Sequence, residues 1–525
     1  MPTKYEELKS FFYPKSIAIY GASNTPFKFA NMHLINILNG NYQGKIFIIH
    51  PRESNILGFR AYKSVLNVSD PIDLALIVAP TTVVPEILED CGKKDIHHII
   101  CVTAGFSEIG NIDGQEKLIE IAQKYGIHIL GPNCIGVIST EIDLNCSPVP
   151  FPPPKGPAAI ISHSGSWASH ILFELHEKLK LGISKIVSTG NEANTDMVDF
   201  LEAFGEDPEI NAIGLYIEGI RRPKAFLEIA KEVSKRKPII AVPIGKGEAG
   251  MRAAHSHTAA ISTPSAIMSP ILKQAGVLET DSNDEMLNFL MAVTNQPLPK
   301  GPRVGVITVG GGPGTSIADL CEKYNLKVPL PSKSLQDNLT AILPFTASAK
   351  NPIDVTFDTE WNNFYTKIPK LLIKSGEFDS LIFYGLFSME NWFSQFVKSE
   401  NPALQTINKL FNKEMLSGFN AMMEDNLKAL LRLGRKNEIP MLFTNLFLSR
   451  TDSLIEFIQS KGLPLFLPEV APKIMSLMWQ YAQYRQKING KIKKIGIFLI
   501  FISVTCKRFM RLFFFRNWWI FNANN

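Results

Sequence analysis

The chain is predicted to be an α/β protein of doubly wound parallel sheets, and three observations predict it. Short β-rich apolar runs alternate with helix-like stretches in the first quarter of the sequence, the pattern of a parallel sheet with crossover helices. Two later segments open alike, on Pro-Lys-Gly-Pro followed by a strand, a Ser/Gly turn and a helix. Finally, 525 residues exceed what one core can organise and divide into three or four units of roughly 150 residues.

The strands are read from Ser16–Tyr20, Lys45–Ile49, Leu74–Val78, His98–Val102 and Ile127–Leu130, with helices near 28–39, 81–94 and 114–125. The proline-rich stretch Ser147–Pro157 reads as a stiff linker. Pro154-Lys-Gly-Pro157 then leads into the strand Ala158–Ile161, and Pro299-Lys-Gly-Pro302 into Val304–Thr308 and the turn Gly310–Gly314. Domains are therefore expected at 1–146, 151–297 and 298–480, with a tail over 485–525.

Composition excludes several classes. Hydrophobic residues make up 45% and charged residues 20%, ordinary for a soluble globular chain. The net charge of +5 misleads, because nine Lys or Arg and no acid lie between Arg485 and the end; subtracting them leaves −4 for the body. A mildly acidic body with no basic stripe argues against nucleic-acid binding. The six cysteines form no CxxC pair, so neither a disulfide framework nor a metal site is indicated, in keeping with a reducing cytoplasm. The N-terminus has no apolar signal region. In the tail, Ile495–Val504 is about half of the ~20 residues a spanning helix needs. An extension without selected structure is preferred there to membrane contact.

Five places carry candidate chemistry. The turn Gly21-Ala-Ser-Asn24 follows the first strand and opens a helix, whose free N–H groups suit a phosphate. Arg52 closes the second strand, where a dinucleotide fold would set an acid for ribose hydroxyls; a cation suits a phosphorylated ribose, as in coenzyme A or NADP, and disfavours an NAD-dependent oxidoreductase. A plain turn and a solvated surface charge are the alternatives. Asn133 and Cys134, in Gly131-Pro-Asn-Cys134, sit past the fifth strand, where open α/β sheets bind ligands; Cys134 reads as a small buried filler. Ser162, Ser164 and Gly165 start a helix and form either a phosphate cradle or an ordinary N-cap. His257 follows the strand Pro238–Ile244 and a glycine-rich stretch, and Glu218 ends an apolar run. Imidazole is nucleophilic at neutral pH and carries a phosphoryl group on nitrogen, and a carboxylate stabilises its charged forms. Gly310–Gly314 lacks the Lys-Ser/Thr of a P-loop and is no nucleotide site by itself.

Taken together these segments resemble the NDP-forming acyl-CoA synthetase family, which includes ADP-forming acetate–CoA ligase and the succinyl-CoA synthetase α-subunit. The resemblance spans roughly residues 5–480 and rests, in order, on Gly131-Pro-Asn-Cys134, Ser162-His-Ser-Gly165, Ser188-Thr-Gly-Asn-Glu-Ala193 with Asp196, Tyr216-Ile-Glu-Gly219, Ser256-His-Thr258, Gly310-Gly-Gly-Pro-Gly314 and Asn351-Pro-Ile-Asp354. It implies a Rossmann-like CoA-binding domain followed by two flavodoxin-like domains. Gly21, Ala22, Ser23, Asn24, Arg52, Thr103 and Asn133 then match positions near the nucleotide and pantetheine of coenzyme A. Ser162, Ser164 and Gly165 match a helix start facing phosphate, His257 the phosphorylated histidine, and Glu218 its paired acid. The implied reaction interconverts acyl-CoA, phosphate and ADP with free acid, coenzyme A and ATP.

The chain departs from the family pattern at Ala259, Phe27 and Ala30, where glycines are usual, and at Pro243, where lysine is common. No ATP-grasp pattern follows residue 480, so the resemblance implies that ADP or ATP, with Mg2+, acts through a separate ATP-grasp β-subunit. The same residues also fit a CoA-binding or regulatory protein of this fold without turnover.

Overall fold

Aliphatic runs covered on both faces build three sheets, as parallel strands flanked by helices require. In the computed structural model the described residues are 2–177, 181–250, 252, 265–356, 358, 360, 362–385, 413–445, 455, 457, 458 and 465–488. The first sheet contains β1 (Ser16–Tyr20), β2 (Lys45–Ile49), β3 (Asn55–Ile56), β4 (Phe59–Tyr62), β5 (Leu74–Ile77), β6 (His98–Cys101) and β7 (His128–Leu130). Its order is β3-β4-β2-β1-β5-β6-β7. Setting aside the short antiparallel β3, this is the Rossmann order, with its switch point between β1 and β5.

The second sheet holds β8 (Val137–Ser139), β9 (Leu144–Asn145), β10 (Lys155–Ser162), β11 (Ile183–Ser188), β12 (Ala212–Ile217), β13 (Ile239–Pro243) and β14 (Leu278–Glu279). Its order, β14-β13-β12-β10-β11-β8-β9, is flavodoxin-like with an antiparallel pair added at the β11 edge. Two features differ from the sequence expectation. Residues 137–145 leave the first sheet and pair with the second: Val137 and Ile138 are buried there and cover what would be an open edge of β11. The strand after the linker also begins earlier, at Lys155. A bulge between Lys155 and Ala158 accommodates Pro157, which has no N–H for the ladder.

The third sheet comprises β15 (Val304–Thr308), β16 (Ile353–Asp354), β17 (Ser380–Tyr384), β18 (Met441–Thr444) and β19 (Leu465–Phe466), ordered β16-β15-β17-β18-β19, again the flavodoxin order. Asn351 braces its start, accepting from the Val306 N–H at 2.9 Å and donating to the Val304 carbonyl at 2.8 Å.

The first two sheets share one hydrophobic core, running from Ile19 and Leu34 through Val137 to Ile161 and Leu215. The N-terminal segment closes it: Phe11 and Phe12 pack against Phe200 and Phe204 of the helix Met197–Glu206 at ring distances of 5.3–6.1 Å. Burying each such side chain stabilises the fold by about 1.5–3 kcal/mol. Residues Met1–Trp479 make one unit and 480–525 a second, described as helix over 480–488. Among the described residues no helix is long and apolar enough to cross a membrane; residues 489–525, including the apolar run of the tail, lie outside them.

Candidate active site

The carboxyl ends of the first two sheets open onto one cleft of about 940 Å³. Such ends are where doubly wound sheets bind ligands, because the loops there diverge at the switch points. Val78–Thr81 follow β5, Thr103 follows β6 and Asn133 follows β7; His163–Ser166 follow β10, Gly190 follows β11, Glu218 follows β12 and Gly245 follows β13. The volume lies at the upper end of the roughly 300–1,000 Å³ of ligand pockets, enough for a long ligand.

Five sequence-predicted residues therefore line one cavity: Thr103, Asn133, Ser164, Gly165 and Glu218. The Thr103 hydroxyl bridges the ends of β5 and β6, donating to the Ala79 carbonyl at 2.8 Å and accepting from its N–H at 3.1 Å. Asn133, in the left-handed region at φ 60°, donates from Nδ2 to Asn191 Oδ1 at 3.2 Å. The Ser164 hydroxyl accepts from the Trp167 N–H at 3.2 Å and so caps the helix Gly165–Glu177, leaving the first-turn N–H groups of Gly165 and Ser166 to the cleft. A Cβ on Gly165 would lie 2.7 Å from Ile135 Cγ2, so glycine lets this helix start against the first domain. Ser162 does not line the cleft: its buried hydroxyl is spent within the turn, donating to the Ser164 carbonyl at 2.8 Å and accepting from its N–H at 3.1 Å. His257 lies outside the described residues.

The Gly21–Asn24 turn and Arg52 are not among the residues lining the cleft. The helix begins only at Phe29, because Pro26 has no N–H and Phe27 takes a left-handed φ of 60°. Asn31 knits the intervening loop, its Oδ1 accepting from the Ser23 N–H and its Nδ2 donating to the Ser23 and Thr25 carbonyls. Ala22 is buried in the core. Asn24 ties the loop to the β3–β4 hairpin through the Asn55 carbonyl and the Leu57 N–H. Arg52 is exposed and its guanidinium pairs with no acid among the described residues. Cys134 is buried, donates weakly to the Cys101 carbonyl at 3.4 Å, and has its thiol pushed up to about 12 by burial: a filler, as its surroundings in the sequence indicated.

Sequence reasoning missed His163 and the network behind it. His163 Nε2 meets Glu192 Oε1 at 2.9 Å, and Nδ1 accepts from the Glu218 N–H at 3.0 Å. Because that backbone donor faces Nδ1, the neutral ring carries its proton on Nε2. Burial lowers the ring's proton affinity, but the Glu192 carboxylate outweighs it, helped by Glu218 and opposed by Arg221, so the imidazole is held above the ordinary histidine range. These charges favour a second proton, but the Glu218 N–H aimed at Nδ1 opposes one, and that hydrogen bond fixes the ring here as neutral with its single proton on Nε2. The Ser162-His-Ser-Gly165 and Ser188–Ala193 segments were both singled out in the sequence. Only the fold shows that they meet.

Parallel Rossmann and flavodoxin sheets sharing a cleft with an open helix start and a half-buried acid define a class, the doubly wound α/β proteins whose ligand site lies at the carboxyl ends of the strands. Comparison with known proteins narrows it. Residues 15–140 match a CoA binding domain and residues 155–293 a succinyl-CoA ligase like flavodoxin domain. The acetate–CoA ligase [ADP-forming] of Methanocaldococcus jannaschii is 43% identical over 352 residues, 67% of this chain and 49% of that protein. The acetate–CoA ligase [ADP-forming] II subunit α of Pyrococcus furiosus is 40% identical over 378 residues, 71% of this chain and 81% of that subunit. A dinucleotide-forming acetyl-coenzyme A synthetase 1 of Candidatus Korarchaeum cryptofilum, solved with phosphate and ADP, superposes with a TM-score of 0.80 at 29% identity, over 92% of this chain and 98% of that one. The chain thus spans about half the length of the Methanocaldococcus relative but most of the Pyrococcus subunit. It belongs to the ADP-forming acetate–CoA ligase family of acid–thiol ligases, as a chain of the α-subunit type.

Proposed function

We propose that the chain catalyses the acyl-transfer half of an ADP-forming acyl-CoA synthetase, acyl-CoA + ADP + phosphate ⇌ acid + CoA + ATP. One observation carries this reading: the shared cleft sets Thr103 and Asn133, of the matched CoA binding domain, opposite Ser164, Gly165 and Glu218, of the matched ligase domain. Coenzyme A lies along the first set, with its thioester toward the second. The Gly21–Asn24 loop and Arg52 serve the nucleotide end, outside the cleft proper.

Phosphate sits on the Gly165 and Ser166 N–H groups, where the helix dipole favours anions. One phosphate oxygen attacks the thioester carbonyl; the C–S bond breaks and the thiolate leaves, giving an acyl phosphate. A neutral nitrogen of His257 then attacks phosphorus, the P–O bond breaks, and the electron pair departs with the carboxylate of the free acid. Glu218 orients the imidazole and balances the charge it gains. Splitting one transfer into two lowers each barrier. ADP, with Mg2+, takes the phosphoryl group on a partner ATP-grasp subunit; the α-subunit wording of the Pyrococcus relative supports such a partner. The five described cysteines, all free and buried, support a cytoplasmic setting.

The test is ATP formation from acetyl-CoA, phosphate and ADP by the full chain mixed with an ATP-grasp partner. Turnover that falls about 100-fold in Glu218→Gln is expected. Tight CoA binding without turnover would leave the regulatory reading instead.

A further inference from the structure

We propose that His163 is a positioning residue, whose Nδ1 holds the Glu218 peptide and thereby sets the Glu218 carboxylate in the cleft, while Glu192 locks the ring. This rests on the role given to Glu218 above.

His163 follows β10, the strand beside the switch point of the second sheet, and is only 8% exposed while lining the cleft. A buried imidazole is tolerated where both nitrogens have partners, and here both do. That double engagement removes His163 as a nucleophile or phosphoryl carrier, since neither nitrogen has a lone pair or proton to spare.

The ring is fixed from behind. Glu192 Oε1 takes the His163 Nε2–H and the Met197 N–H at 2.8 Å, and Oε2 lies 3.4 Å from Arg221 Nε. Arg221 in turn donates to the Asn191 carbonyl at 2.7 Å. Glu192 itself adopts φ 54°, a left-handed conformation that a non-glycine residue keeps only where surrounding contacts over-determine it. The strained residue is spent on aiming one carboxylate at His163. Asn191, its neighbour, bonds Asn133 and the Glu108 and Gln115 side chains of the first domain. One path of hydrogen bonds and a single ion pair, Arg221 to Glu192, thus runs from the CoA-side loop at Asn133 through Asn191, Arg221, Glu192 and His163 to the peptide of Glu218.

Loss of the ring leaves the Glu218 N–H without an acceptor and frees its peptide to rotate, carrying the carboxylate with it. A misplacement of about 1 Å near reacting atoms costs about 100-fold.

The experiment uses the full chain with 32P-acetyl phosphate as probe, comparing His163→Ala, His163→Asn and His163→Gln. Asparagine sets an acceptor near the Nδ1 position, and glutamine reaches only toward Glu192. Expected are a labelling kcat about 100-fold lower in His163→Ala with KM little changed, recovery of about tenfold or more in His163→Asn, and none in His163→Gln. Hydrogen–deuterium exchange at the Glu218 amide should accelerate in the Ala and Gln variants and stay slow in Asn. Wild-type labelling in His163→Ala, equal recovery by Asn and Gln, or unchanged Glu218 exchange would each overturn the proposal. If His163→Ala does not fold, the Asn–Gln contrast decides. A wild-type chain that takes no label while the exchange pattern holds contradicts the phosphoenzyme reading and leaves the positioning role standing.

Discussion

Gly21 shows what a single backbone position imposes on this cleft. At φ 92° it lies outside the range of L side chains, and a Cβ there would sit 1.9 Å from the carbonyl oxygen of Val78, which lines the cleft. Gly21→Ala should therefore destabilise the chain by about 1–3 kcal/mol from strain alone and weaken CoA binding, read as a lowered Tm and a raised Kd. A variant with wild-type values for both would refute this account of the turn. The glycine was legible from its place after the first strand. His163 was not, since a histidine inside a short polar motif looks the same whether it faces solvent, a cap or another segment. Its meaning depends on Glu192 and Glu218, 29 and 55 residues away, meeting it at the sheet edge.

Elements were easier to read where one rule governed them. Five of the seven first-sheet strands follow from aliphatic runs, with ends that shift by a residue at most, as at β5 and β7, whereas the short β3 and β4 carry no such run and were not read. The helix after β1 begins at Phe29, within one residue of its reading, and Pro26 and the left-handed Phe27 separate the Gly21–Asn24 loop from its start. The helix Met197–Glu206 is set by a single cap. Asp196 accepts from the N–H groups of Val198 at 2.8 Å and Asp199 at 3.2 Å, and pairs with the Arg222 guanidinium. Burial alone would raise the Asp196 carboxyl; Arg222 and the backbone donors outweigh it and hold it below the usual carboxylate range. A depressed folded-state value means stability that is present above the unfolded value of about 3.9 and lost as pH falls through the folded one. Asp196→Asn should cost about 1 kcal/mol at pH 7, modest because Arg222 is half exposed, and the gap to wild type should close as the pH drops below about 4. Thermal melts across pH check this; a gap independent of pH contradicts it.

At the scale of the whole molecule, the three-sheet plan was legible from alternation and from the repeated Pro-Lys-Gly-Pro openings, whereas the crossing of residues 137–145 into the second sheet was not. Their apolar pattern fits either sheet, and only the open edge of β11 decides. A buried lysine of the second sheet ties the N-terminal segment to it. Lys185 is fully buried, 2.8 Å from Asp207 and 3.6 Å from Glu141, and donates to the Tyr13 hydroxyl at 2.9 Å. Lys185→Met leaves the buried Asp207 and the partly buried Glu141 without this cation, and denaturant unfolding should show a loss of about 3–5 kcal/mol. A loss under about 1 kcal/mol would show that solvent reaches this cluster.

The proposed phosphorylated intermediate rests on the union of two sheets around one cleft, which the Gly165 helix start and Glu218 both line. Incubating the full chain with 32P-acetyl phosphate and quenching in alkali tests it most directly. The account predicts protein-bound phosphate that is stable to base, labile to acid and abolished in His257→Ala. Label that survives that substitution, or a CoA-binding wild-type chain that never acquires any, would contradict it.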